Sequence, residues 1–249
     1  MEHEERNNKL LEIVNKVTSV ERKRKQIGTL SEKTVHVVLK HYLESDEGKH
    51  EIKIGSMYAD IFTENEIIEI QTRGFDKLRK KLAIFLELYP VTVVYPIPHI
   101  KNLIWIDAET GELSKSRKSP IKGNAFFIFE ELYKIKMFLY HPNLKFKIIL
   151  MDVDEYRLLN GYSKDRKKGS ERFDRIPTKL VDEIDITRKE DFITLIPPEI
   201  EGEFTAKDFA KSVYIKYRQA QVCLNVLYDL GLVQRVGKLG KAYLYKIEE

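Results

Sequence analysis

The stretch that most limits what this chain can fold into is Tyr58–Arg73, YADIFTENEIIEIQTR. Two short apolar runs flank the polar triplet Glu64-Asn65-Glu66, the pattern of a β-hairpin. On the second run Ile68, Ile70 and Thr72 share one face, and Ile67, Glu69, Gln71 and Arg73 share the other. Asp60 lies on the partner strand and meets Glu69 and Gln71 if the register allows. Two carboxylates and an amide oxygen on one hairpin are hard-oxygen donors of the kind Mg²⁺ takes. The plainer alternative is the solvated face of a half-exposed strand, which carries Glu and Gln routinely.

Around the hairpin, helical and strand periodicities alternate. Residues 5–27 carry Leu10, Leu11, Ile13, Val14, Val17 and Val20 at roughly helical spacing, followed by the basic cluster ERKRKQ at 21–26. A second helix is expected over 29–42, with Ser31 as N-cap, Glu32 in its first turn and His36 one turn on. A strand at 51–54 leads to the hairpin, and a helix over 75–89 follows, with Leu78, Leu82, Phe85, Leu86 and Tyr89 facing inward and Pro90 ending it. VTVVYPI, 91–97, reads as a strand buried on both faces. A hairpin around 103–113, a basic loop at 115–123, a helix over 126–140 and strands at 144–153 and 181–186 complete this part. The polar segment 163–177 reads as a long basic loop. Trp105 is expected in the core.

Pro197-Pro198 marks a boundary, and the tail has its own plan. Thr205 caps a short helix. A longer helix over 218–230 carries Ala220, Cys223, Leu224, Leu227 and Leu230 as its buried stripe, and Gly231 closes it. Residues 232–246 then form a hairpin whose tip holds Lys238 and Lys241. The expected organisation is an N-terminal helical extension, 1–28, a main domain, 29–196, and a C-terminal domain, 199–249.

Composition narrows the function classes. Apolar residues at 43% suffice for a packed core, and charged residues at 33% solvate the surface. A net charge of +4 permits a nucleic-acid partner without demanding one, so local clusters decide. The single cysteine, Cys223, excludes an intrachain disulfide framework and a multi-cysteine zinc site, and its apolar neighbours suggest a buried thiol. The six histidines show no metal spacing, and no phosphate loop, GxGxxG, HExxH or GxSxG pattern occurs. With no signal-like or membrane-length apolar run, the expectation is a cytoplasmic protein without a membrane partner.

The order helix, strand, hairpin, helix, strand, with acids on the first helix and the hairpin, resembles the PD-(D/E)xK nuclease superfamily over residues 29 to about 155. Its motif reads here as Asp60, an eight-residue gap, then Glu69-Ile70-Gln71, with Glu32 as the acid of the preceding helix. IIEIQTRGFDKLRKKL looks like a bacterial branch in which Gln replaces the motif Lys. The tail resembles the winged-helix family. These resemblances imply an α/β fold: a restriction-endonuclease-like mixed sheet flanked by helices, followed by a winged helix-turn-helix. They further imply Mg²⁺- or Mn²⁺-dependent hydrolysis of phosphodiesters, with double-stranded DNA as partner and a homodimer as one possible state. Asp60, Glu69, Ile70 (through its carbonyl) and Glu32 would hold the metal, and Gln71 would orient water. Lys77, Arg73 and Lys80 are candidates for the missing cation and for phosphate contacts. Lys167 and Lys168 would line the nucleic-acid channel. Lys216, Tyr217, Arg218, Gln219 and Gln221 would face the groove, with Lys238 and Lys241 on the wing. Because Gln71 carries no positive charge, a catalytically inactive DNA-binding regulator or scaffold is the alternative.

Overall fold

The computed structural model describes residues 3–24, 33–160 and 169–248. In chain order, α1 (His3–Arg24) and α2 (Thr34–Leu43) precede β1 (His50–Ile54), β2 (Met57–Phe62) and β3 (Ile67–Ile70). A 3₁₀ turn (Phe75–Leu78) leads into α3 (Arg79–Phe85), then β4 (Val91–Asp107) and β5 (Arg117–Lys118). Next come α4 (Ile128–Leu132), β6 (Leu144–Leu159) and β7 (Glu171–Ile186). The tail comprises β8 (Phe204–Thr205), α5 (Ala206–Ser212), α6 (Tyr217–Asp229), β9 (Val233–Leu239) and β10 (Ala242–Ile247). The result is a mixed α/β protein. Seven strands form one sheet in the order β1-β2-β3-β4-β6-β7, with β5 beside β4, and three form another in the order β8-β10-β9. The larger sheet is mixed: β2 and β3 pair antiparallel, β3 and β4 parallel.

The chain divides into two compact units, each assembled from separated stretches. The first comprises Met1–Glu51, Pro96–Asn124 and Ile149–Glu183. In it the stripe Leu10, Val14, Val17 of α1 is buried, as are Val35, Val38, Leu39 and Tyr42 of α2. This is the i, i+3/i+4 spacing by which two amphipathic helices cover one another. Polar ties fix the position: Lys9 Nζ donates to the Tyr42 carbonyl at 2.8 Å, and the buried Glu183 carboxylate accepts from Arg6 and the Tyr42 hydroxyl, each at 3.1 Å.

The second unit comprises Ile52–Tyr95, Ala125–Ile148 and Ile184–Glu249. A run of ring contacts threads its core, from Phe75 through Phe146, Phe192, Phe129, Phe126, Phe209 and Phe204 to Tyr245. Such contacts contribute about 0.5–1.5 kcal/mol each beyond area burial. They bind the segment after the hairpin to the C-terminal helices. Thr205 caps α5 as expected, its hydroxyl accepting from the N–H groups of Lys207 and Asp208 while the Asp208 carboxylate accepts from the Thr205 N–H. Gly231 takes φ 70° at the end of α6, and the stripe Ala220, Cys223, Leu224, Leu227, Leu230 is buried.

Several elements differ from the sequence reading. Ser31, expected to cap α2, lies outside the described residues, and the cap position is Lys33. The helix expected over 75–89 opens as a 3₁₀ turn and ends earlier, and that expected over 126–140 is broken at Ile135 (φ −121°, ψ 24°). β4, β6 and β7 run much longer than their apolar centres; on β6 and β7 charged positions pair across the strands, Glu155 with Arg175 and Lys147 with Asp185. Residues 171–177, expected in a loop, are therefore part of β7. Trp105 sits on the outer stretch of β4 and is only partly buried.

Candidate functional site

The hairpin forms as the alternation predicts. Ile61 pairs with Ile68 and Phe62 with Ile67. Its turn is closed by Thr63, whose N–H and hydroxyl donate to the Glu66 carbonyl at 2.9 and 3.1 Å while the Glu66 N–H donates back to the hydroxyl at 3.1 Å. One step further along, side chains replace the backbone ladder. The Asp60 N–H donates to Glu69 Oε1 at 3.3 Å, and the Ile70 N–H donates to Asp60 Oδ2 at 2.7 Å. The two carboxylates thus face each other where the strands part.

Glu69 is not on a solvated face: it is 2% exposed. β3 pairs with β4 on its other edge, Glu69 opposite Val93, so the residue sits inside the sheet. Its Oε2 takes an ion pair from Lys81 Nζ at 2.7 Å. Burial, and after it the charge of Asp60, push the Glu69 carboxyl up to about 7, against the opposing pull of Lys81. One buried acid beside a second acid with a single lysine is an under-neutralised site.

The other expected site residues lie as follows. The Gln71 amide is turned into its own loop, donating to the carbonyls of Arg73 at 2.5 Å and Gly74 at 3.4 Å. Arg73, Lys77 and Lys80 are exposed. Lys81 rather than any of these makes the pair with Glu69. The 3₁₀ turn explains the choice: at three residues per turn it rotates the chain by about 120° per residue instead of about 100°, shifting the helical phase of everything after Leu78. The sequence reading expected the cation from Arg73, Lys77 or Lys80 and missed Lys81, which directly follows Lys80. Glu32, Lys167 and Lys168 lie outside the described residues. Among the described residues no group of three or more His, Cys, Asp or Glu comes together as a metal cluster. The side-chain oxygens brought together are therefore those of Asp60 and Glu69, hard-oxygen donors with one lysine for two acids.

The C-terminal segment exposes a basic and aromatic surface. Lys216, Tyr217, Arg218, Gln221, Lys238 and Lys241 are all exposed. Gln219 is half-buried and its Oε1 caps the Lys216 N–H at 3.1 Å, so it serves the helix rather than the surface. Tyr214 sits in the turn before α6 with φ 55° and is 92% exposed, a backbone and a ring both placed at a cost. Arg235, which the sequence did not single out, lies over the rings of Tyr228 at 4.2 Å and Tyr243 at 4.6 Å.

A family model described as "Domain of unknown function (DUF8091)" matches residues 33–187, a span that contains the Asp60–Glu69–Lys81 cluster and ends before the C-terminal helices. A protein of Treponema pallidum (strain Nichols), titled "Uncharacterized protein", is 25% identical over 226 residues, covering 89% of this chain and 88% of its own. No solved structure matches. No helix among the described residues is long and apolar enough to cross a membrane.

Proposed function

This chain belongs to the DUF8091 family, and from the geometry of its hairpin site we propose that it is a metal-dependent nuclease that hydrolyses DNA phosphodiesters on a restriction-endonuclease-like fold. The observation that carries this reading is the buried Glu69, pressed by Asp60 and paired with Lys81 at 2.7 Å. Asp60, Glu69 and the Ile70 carbonyl would hold Mg²⁺ or Mn²⁺. Bound there, such an ion acidifies water and offsets charge on the phosphate oxygens. Lys81 takes the part of the lysine that Gln71 replaces, a cation beside the acids that stabilises developing negative charge. Its flexible stem and partial exposure let it leave Glu69 when a metal takes up the carboxylate charge. Arg73, Lys77 and Lys80 are exposed cations for strand phosphates. Helix α5, helix α6 and the β9–β10 hairpin have the order of a winged helix. In this reading Lys216, Tyr217, Arg218 and Gln221 meet the groove, and Lys238 and Lys241 the backbone.

A nicking assay on supercoiled plasmid tests the proposal. Cleavage should require Mg²⁺ or Mn²⁺ and fall to background in Asp60→Ala and Glu69→Ala; undiminished cleavage in both ends it. One observation favours a second reading, a catalytically inactive DNA-binding regulator. The Gln71 amide is occupied by backbone carbonyls, and no third acid joins the pair among the described residues. Calorimetric Mg²⁺ titration separates the two, since the regulator needs no Asp60- and Glu69-dependent binding.

A further inference from the structure

The first unit contains a second buried glutamate with the opposite imbalance. Glu155 of β6 is 3% exposed. Its Oε1 accepts from Arg157 Nη1 at 2.7 Å, and its Oε2 accepts from Arg175 of β7 at 2.8 Å. Arg157 is held further by the Ser170 hydroxyl and carbonyl, both at 3.1 Å. Two guanidiniums on one carboxylate already leave a net positive charge. Lys101 of β4 adds another. Its strand is pinned beside β6 on either side of it, by the Ile100 N–H to Asp152 Oδ1 and by Asn102 Nδ2 to Asp154 Oδ1, each at 3.0 Å.

The Lys101 carbonyl accepts from the Ser119 N–H at 2.8 Å, but among the described residues the Lys101 ammonium makes neither a hydrogen bond nor an ion pair. Burial lowers its pKa; Glu155 pulls it back up, and Arg175, Arg157 and Arg172 press it down again. A half-buried ammonium held near guanidiniums without a direct partner costs stability, and an apolar side chain of similar length would avoid that cost. Residues that break the local rules of stability in this way mark sites built for something else. Both guanidiniums keep 22% side-chain exposure, so the cluster is open to a ligand.

We propose that Lys101, Arg157 and Arg175 form an oxyanion-binding site that takes a phosphate group, with Glu155 serving to fix the two arginine forks in place. Planar guanidiniums locked by a carboxylate are pre-organised for phosphate, and the ammonium supplies the movable charge. Phosphate binding at this site stands whether or not the chain cleaves DNA.

Binding to the full-length protein tests it, with inorganic phosphate and a short single-stranded oligonucleotide as probes, read by calorimetry and by melting temperature against a chloride control. Lys101→Met should weaken binding by about 10- to 100-fold, the worth of one charge-assisted contact, and Lys101→Arg should restore most of it. Without ligand, Lys101→Met should melt higher than wild type. Comparable, Lys101-dependent binding of inorganic phosphate identifies a small phosphorylated ligand; Lys101-dependent binding of the oligonucleotide alone identifies strand phosphate. Three results overturn the proposal: no saturable binding of either probe, equal affinity in Lys101→Met, or a lower ligand-free melting temperature in that variant, which would make Lys101 a structural residue.

Discussion

Glu69 and Glu155 are alike in everything but company. Each sits on a strand, each is excluded from solvent, and burial alone pushes both carboxyls up. Glu69 then meets an acid and one lysine, and ends near 7. Glu155 meets Arg175 and Arg157, with Lys101 beyond them, and ends below the ordinary range. Burial sets the stakes in both places, and the sign and number of the neighbours decide the outcome. The first site is short of positive charge and suits a cation. The second has a surplus and suits an anion.

Breaking the second site should have the largest effect. Arg175→Ala leaves Glu155 buried with half its support and should cost about 3–5 kcal/mol in chemical denaturation. That loss should shrink in acid. Because the folded-state pKa of Glu155 is depressed, its contribution is present above its unfolded value and disappears as pH falls through the folded one. A cost unchanged by acid would show that Arg175 stabilises through packing instead.

At the first site, Lys81→Ala should lower metal-dependent cleavage by about 10²- to 10³-fold, the typical loss on removing one charge-stabilising donor. The matching Lys80→Ala change should matter far less, since Lys80 makes no pair with Glu69. Equal losses would return the choice of cation to the sequence reading.

Asp60→Asn sharpens the contrast from the other side. The folded-state pKa of Glu69 is raised, so its contribution is complete below about 4.5 and is lost as pH rises towards about 7. Removing the Asp60 charge should bring the Glu69 titration down, leaving the part that burial raises. It should also raise stability by about 1 kcal/mol above neutral pH, with little change in acid. Carboxyl chemical shifts followed through the titration check this directly; a stationary Glu69 resonance would leave burial as the whole cause. The smallest effect belongs to the exposed wing: Lys238→Ala should reduce the salt slope of DNA binding by about one, uniformly across sequences.

The hairpin was readable because β periodicity is short-range. Alternation over Ile67–Ile70 and a polar turn suffice to put Asp60 and Glu69 on partner strands, and the observed register, Ile61 with Ile68, brings them opposite each other. The tail was equally readable, since Thr205 and Gly231 punctuate its helices and the stripe of α6 repeats at helical spacing. The lengths of β6 and β7 were not, because their outer stretches are charged, and charge in a sequence reads as loop until its partners are known; β4 instead joins two runs that read as separate strands, 91–97 and one beginning at 103. Glu155, Arg157, Arg175 and Lys101 span more than seventy positions and carry no motif. Nothing local distinguishes them from solvated surface residues.

By itself, then, the order of residues determined which strands pair across the hairpin, which helix faces are apolar, and that two acids lie on the two strands of one hairpin. These follow from geometry that repeats every two or every 3.6 residues and needs no distant partner. Only the tertiary structure decided that Glu69 is buried rather than wet, that Lys81 supplies its cation, and that two guanidiniums hold the Glu155 carboxylate. Burial and charge compensation depend on residues far apart in the chain, and no local pattern encodes their sum.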